Sequence, residues 1–429
     1  MKYCRILVIV TAVAFAHLLF FGGPAIAKTK EVKPHGTEDT LRAQQAQIEQ
    51  LKSDINELKT AKEQKGESGY DHGFFIRTLN GDYELKFRWF AQLFYEFDRN
   101  EDAPDTNTFG LRRSRFLFSG NVFNKNLTYM TMTEMVTQYS VPTSQTTSTT
   151  TDSAGDTVTY SYTNKTDKNF RILYLWAQYR FADEFQIRVG EFIPPTEYLF
   201  RASNLLQMQD FPIIAVAEPF TPNFQTGVDL LGTIAKKFDY EVFAVNGSSL
   251  DRINLNKSFR IGTALTYNFL GKPALGVADI DFSERPQLAW TISGAYEKAD
   301  LPLAAPVNIN PGDTALRGQS DVVFRYKGFS FVPEFVVYYN NTQHYKHYAL
   351  AGQAGYFIIP KHLEFAAQAN YLKYSGPQND NYEFSGGLNY YFYGQPVKLQ
   401  ADYSYLISKK PGDDLNNHRI RLGLQMGFF

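Results

Sequence analysis

The sequence predicts an all-β fold, a sixteen-stranded antiparallel transmembrane β-barrel preceded by a short coiled-coil helix. Three observations predict it. Long stretches alternate apolar and polar residues with a period of two. The chain carries 36 Phe and 28 Tyr at a mean hydropathy of only −0.33, so its rings need an apolar surrounding that no long apolar segment supplies. The connections between alternating segments switch regularly between tight and long.

The elements follow in chain order. Residues 1–27 read as a secretory signal peptide. Lys2 and Arg5 supply the positive start, Ile6 to Phe21 the apolar core, and Ala25-Ile26-Ala27 a small-residue cleavage site. The alternative is an uncleaved anchor, but the run is short for a membrane span. Cys4 is the single cysteine and precedes the apolar run, so a cleaved chain has no thiol chemistry available. Cleavage takes the formal charge from −1 to −3 by removing Lys2 and Arg5, a balance that argues against a nucleic-acid partner.

Residues 28–66 form a segment of their own. From about 38 to 65 the period becomes helical: Leu41, Ile48, Leu51, Ile55 and Leu58 occupy a and d heptad positions, with Gln44 the polar exception. A parallel coiled coil would bury this seam, and so would packing on another surface. Residues 67–81 read as a linker, and 82–429 as the barrel. In its first strand Tyr83, Leu85, Phe87, Trp89, Ala91, Leu93, Tyr95 and Phe97 share one face. Fifteen further segments follow, at about 109–123, 127–139, 169–181, 185–193, 226–236, 239–247, 258–269, 288–298, 319–327, 329–340, 347–358, 363–374, 382–392, 396–407 and 417–429. Long loops at 99–108, 140–168, 194–225, 248–257, 299–318, 341–346, 375–381 and 408–416 alternate with turns of two or three residues. Residues 270–287 break the rule: a short turn is due there, and eighteen residues stand in its place. Phe428 is in phase with the apolar face, which leaves Phe429 either inward or shifted by a bulge.

With the apolar face outward, parity assigns the lumen. Basic candidates are Lys86, Arg88, Arg113, Arg115, Arg180, Arg188, Arg260, Arg325, Lys398, Arg419 and Arg421. Acidic ones are Glu84, Glu96, Asp229, Glu297, Glu334, Glu364, Glu383 and Asp402. Guanidinium groups fixed on a wall replace part of an anion's hydration by bidentate hydrogen bonds. Arg113 and Arg115, two residues apart, would form rungs of a ladder. The competing reading pairs these cations with the acids across strands, which supports the wall and selects nothing. Loop 194–225 carries Glu197, Arg201, Asp210 and Glu218 among Phe200, Leu205, Leu206, Phe211, Ile213 and Ile214. So apolar a loop is costly in water and is expected to pack inside the barrel as a pore constriction; the alternative is an external loop buried at a contact between copies of the chain. No catalytic constellation, metal site or cofactor motif stands out; His344 and His347 read as a solvated rim.

Leu111-Arg112-Arg113-Ser114-Arg115, Ala177-Gln178-Tyr179-Arg180-Phe181 and Ile187-Arg188-Val189-Gly190-Glu191-Phe192-Ile193-Pro194-Pro195 together resemble the phosphate-selective porins O and P. Phe224-Gln225-Thr226-Gly227-Val228 and Phe243-Ala244-Val245-Asn246-Gly247 extend the resemblance, which covers about residues 70–429. The resemblance implies a homotrimeric porin of the bacterial outer membrane, with its third long loop folded into the pore. Small anions, phosphate among them, or other small polar solutes would pass along the basic residues, and membrane lipid and lipopolysaccharide would surround the wall. One departure stands out: where the family places Gly-Gly-Arg-Leu-Gln with its Arg in the lumen, this chain has Trp89-Phe90-Ala91-Gln92, and Phe90 replaces the cation. General diffusion and envelope tethering through the coiled coil are the alternative functions.

Overall fold

The computed structural model describes residues 37–64, 66–136, 147–151, 157–161, 170–202, 205–208, 219–220, 223–247, 254, 257–299, 310, 312–375, 380–409, 412 and 414–429. The expected signal peptide and most of loop 140–168 lie outside them, as do Asp210, Phe211, Ile213, Ile214 and Glu218 of the expected constriction.

In chain order the elements are helix α1 (Thr37–Gln64), β1 (Gly66–Tyr70), β2 (Phe74–Thr78), β3 (Glu84–Arg99), β4 (Thr106–Asn121), β5 (Leu127–Glu134), β6 (Thr147–Thr151), β7 (Thr157–Ser161), β8 (Arg171–Ala182), β9 (Phe185–Phe192), helix α2 (Tyr198–Arg201), β10 (Gln225–Ile234), β11 (Phe238–Val245), β12 (Arg260–Asn268), β13 (Gln287–Lys298), β14 (Thr314–Tyr326), β15 (Phe329–Asn340), β16 (Tyr345–Ile359), β17 (Leu363–Lys373), β18 (Asn381–Tyr391), β19 (Lys398–Ser408) and β20 (Leu415–Phe428). Among the described residues, the sixteen strands β3–β5 and β8–β20 pair antiparallel in sequence order, and β20 pairs back with β3 to close the wall. Closure leaves no strand edge along that wall, which is what an apolar surrounding demands of a sheet. Each predicted strand segment overlaps one of the sixteen.

Two hairpins were not expected. β6 and β7 form a small sheet of their own inside the long loop 140–168. Residues 67–81, expected as a linker, contain β2 and all of β1 but Gly66. β2 pairs with Glu84–Phe87 of β3, on the edge that β20 occupies from Trp89 onward. The hairpin therefore continues the seam past the end of the last strand. Phe74 packs edge-on against Phe428, with ring centroids 5.0 Å apart.

α1 is a compact unit of its own. Ile48, Leu51 and Ile55 share one helical face and are about half exposed along it.

The alternation sorts the wall. Leu93, Val189, Leu230, Ile261, Ile292, Leu316, Phe335, Leu350, Phe365, Leu388, Leu399 and Leu422 point outward and are exposed. Their opposite faces carry Gln92, Arg188, Asp229, Arg260, Glu297, Arg317, Glu334, Glu364, Asn389, Gln400 and Arg421, of which all but the half-buried Arg188 are buried inside. Exposing a large apolar side chain to water costs about 1.5–3 kcal/mol relative to burial, so the outer belt is not a surface for aqueous solution. The last two residues separate by face. Phe428 sits on the outside with Phe87 and Trp89, and Phe429 turns inward onto Phe90, 5.4 Å away between centroids. The β20–β3 register runs without a shift to Phe428, so no bulge is involved.

Candidate functional site: the charged bore and its infolded segments

The described residues of loop 194–225 fold into the barrel. Ile193 to Leu199 are buried in succession, and Leu199, Ala202, Leu206 and Phe220 join Val323, Val332, Val336, Ala349 and Leu372 from the inner faces of β14–β17 in one core. That apolar patch on the inner wall is what receives the loop. Polar bonds fix its position. The backbone N–H of Leu199 donates to Glu334 Oε2 at 2.9 Å. Gln207 Nε2 donates to Ser330 Oγ at 2.9 Å and to Glu364 Oε1. Lys398 Nζ donates to the Leu206 carbonyl at 2.9 Å. Glu197 opens α2 with a positive φ of 43°, a conformation costing about 1–3 kcal/mol in a non-glycine residue. Its carboxylate lies 3.3 Å from Arg317 Nη1, which also donates to the Phe220 carbonyl at 2.7 Å. Burial pushes the Glu197 carboxyl up from its ordinary range, and the Arg317 charge opposes that shift.

Each basic residue expected in the lumen has a definite surrounding. Lys86 pairs with Asp71 at 3.2 Å. Arg88 donates to Ser119 Oγ at 3.0 Å. Arg113 donates to Gln92 Oε1 at 2.6 Å, and Gln92 Nε2 donates on to Gln425. Arg115 pairs with Glu134 at 2.6 Å. Arg188 pairs with Asp229 and, at 2.9 Å, with Glu241, while its guanidinium stands 4.7 Å from the Phe192 ring centroid. Arg260 pairs with Glu297. Arg325 donates to the Gly276 carbonyl. Arg421 pairs with Glu96 at 2.6 Å and approaches Asp402 at 3.9 Å, and Arg419 pairs with Asp98. Arg180 lies apart, half exposed beside the turn after β8 and 3.5 Å from Asp183. Arg201 lies over the Tyr198 ring at 5.8 Å and makes no ion pair among the described residues.

The expected ladder of Arg113 and Arg115 thus resolves into two different environments, one bonded to an amide and one to a carboxylate. A buried ion pair adds little net stability, but removing one partner strands the other charge at a cost of about 3–5 kcal/mol. Most of the lumen's arginines are therefore held in place by acids.

Simple alternation missed Arg112. β4 has a bulge there: Leu111 faces Leu93 and Arg113 faces Gln92, so Arg112 is the extra residue. It is buried at 8 % exposure beside Arg113. The signal was in the sequence, because strict alternation would have put Arg112 on the apolar face, where a cation costs about 2–4 kcal/mol at mid-depth of a lipid bilayer. A second bulge, between Met132 and Thr133 of β5, sets the extra Leu173 of β8 into a cluster with Phe90, Leu117 and Met132. Phe90 is buried at the centre of that cluster, inside the barrel as parity requires. His347, expected on a solvated rim, is instead buried: it packs beside Tyr338 and Tyr374 and accepts from the Ser375 N–H at 3.1 Å. Among the described residues no cluster of His, Cys, Asp and Glu could hold a metal.

No family model and no curated protein sequence matches the chain. Solved structures do. An anion-selective porin from Comamonas acidovorans superposes with a TM-score of 0.52 at 10% identity, over 80% of this chain and 99% of that one. The outer membrane channel DcaP of Acinetobacter baumannii gives 0.54 at 12% identity, over 82% and 99%. Salmonella typhi OmpF, in complex with daunomycin, gives 0.55 at 11% identity, over 81% and 99%. At such identities the likeness establishes the architecture: this chain has the closed sixteen-stranded antiparallel barrel that these three proteins share.

Proposed function

We propose that the chain is a porin of the bacterial outer membrane, a passive channel for small polar solutes. One observation carries the reading: a closed wall, apolar outside and charged inside, is narrowed by a loop folded into its own lumen. A barrel kept only as an anchor has no need of an ordered charged bore. Two of the structural neighbours, described as an anion-selective porin and as an outer membrane channel, support the same reading.

On charge selection the lumen favours a modest preference for anions. Arg88, Arg112, Arg113 and Arg115 all stand on the adjacent strands β3 and β4 and make that side of the wall the more basic, while Arg115, Arg188, Arg260 and Arg421 spend much of their field on carboxylates. Phosphate is the least supported solute, since Phe90 occupies the place of a family arginine. Chloride current through single channels, titrated with phosphate, separates the two. Block by millimolar phosphate would favour phosphate selectivity, and unaffected current a general anion-preferring pore. The exposed seam of α1 suits self-association of the helix, in keeping with the homotrimer that the resemblance implies.

A further inference from the structure

The eighteen-residue interval that breaks the alternation of turn lengths also folds into the barrel, and it does so from the end opposite to the long loops. Val277, Ala278 and Asp279 are buried. The segment is tied at two levels. Near its own end of the barrel, the Asp279 carboxylate accepts from the backbone N–H groups of Ser283 and, at 2.7 Å, Gly328, the glycine of the short turn between β14 and β15. Lys327 N–H donates to the Ser283 carbonyl at 2.9 Å, and Phe282 packs with Phe357 and Tyr391.

Deeper in, the segment meets α2. Tyr198 Oη donates to the Gly276 carbonyl at 2.7 Å and accepts from the Gly276 N–H at 3.2 Å. The same carbonyl takes a bond from Arg325, and Val277 joins the apolar core that seats Leu199 and Leu206. Gly276 has φ +130°, and a Cβ there would stand 3.4 Å from the side chain of Leu205. The contact is an ordinary one, and it is the positive φ that requires glycine here. A cavity of about 350 Å³ with a mixed polar and apolar lining opens where the two segments meet, bounded by Arg201 and Tyr198 on one side and by Lys272 and Leu275 on the other.

We propose that residues 270–286 are the second half of the constriction. They hold α2 in place through Gly276 and narrow the bore together with it, so passage is restricted by segments entering from both ends. This rests on the channel reading above. Its positioning residues are Tyr198 and Gly276.

The test uses the full chain in planar bilayers, with folding checked by heat-modifiable migration. In one variant residues 271–284 are replaced by a two-residue turn. Single-channel conductance should rise roughly two-fold or more, and neutral sugars too large for the parent pore should enter, because the narrowest section sets both. The conservative variant Tyr198→Phe keeps the ring and removes only the link to Gly276. Its open-channel current should become noisier and its ion preference should shift at unchanged thermal stability. A folded turn variant with the parent's conductance and size limit would overturn the proposal. If that variant does not fold, a Tyr198→Phe channel indistinguishable from the parent would do so. A parent barrel without conductance would instead remove the channel reading itself.

Discussion

Among single residues, Arg112 and Glu134 offer the sharpest test of the proposed anion preference. Arg112 adds a cation to the wall through the β4 bulge, and Glu134 cancels the charge of Arg115. Replacing Arg112 by Ala should lower the anion-to-cation permeability ratio, and Glu134→Gln should raise it by uncovering Arg115, each by a few-fold in reversal-potential measurements across a salt gradient. Opposite shifts from the two substitutions are the expected signature; equal or absent shifts would place the selecting charges elsewhere. Phe90 has a different part. It is buried among Leu117, Met132, Leu173 and Phe429, so Phe90→Ala should cost about 3–5 kcal/mol of barrel stability. The temperature at which the folded band disappears from a gel should fall accordingly.

At the level of elements, how much of the structure the sequence reveals depends on what each element packs against. Strands facing an apolar exterior and a polar bore announce themselves by a period of two, and all sixteen were legible. The β1–β2 hairpin was not, because Gly66–Tyr70 is polar and short and Phe428, against which Phe74 packs, lies at the other end of the barrel sequence. The lumenal destination of loop 194–225 was legible in its apolar content. Its anchors were not, since Glu334, Glu364 and Lys398 lie more than a hundred residues further on. The bulge at Arg112 was visible only as a broken alternation. Deleting residues 37–64 should leave single-channel conductance unchanged and, if the seam of α1 joins copies of the chain, should shift the purified protein toward monomer in light scattering. An unchanged oligomer would show that the barrel wall alone carries assembly. Removing Gly66–Thr78 should lower the unfolding temperature by uncovering the β3 edge at Glu84–Phe87.

On the scale of the whole molecule, one sheet solves two solvent problems at once. Its outer residues need hydrocarbon, its inner residues need water and counter-charges, and closure lets a single alternating sequence meet both demands. Infolded segments from both ends then occupy the lumen along β14–β19, where apolar inner residues and buried carboxylates wait for them. The structure is that of a narrowed tube, and conduction is the property we propose for it. Purified, folded protein added to a planar lipid bilayer in salt solution tests this most directly. The account predicts discrete, uniform current steps that persist at low voltage and shift their reversal potential modestly toward anions. Folded protein that inserts into the bilayer and yields no current steps would contradict it.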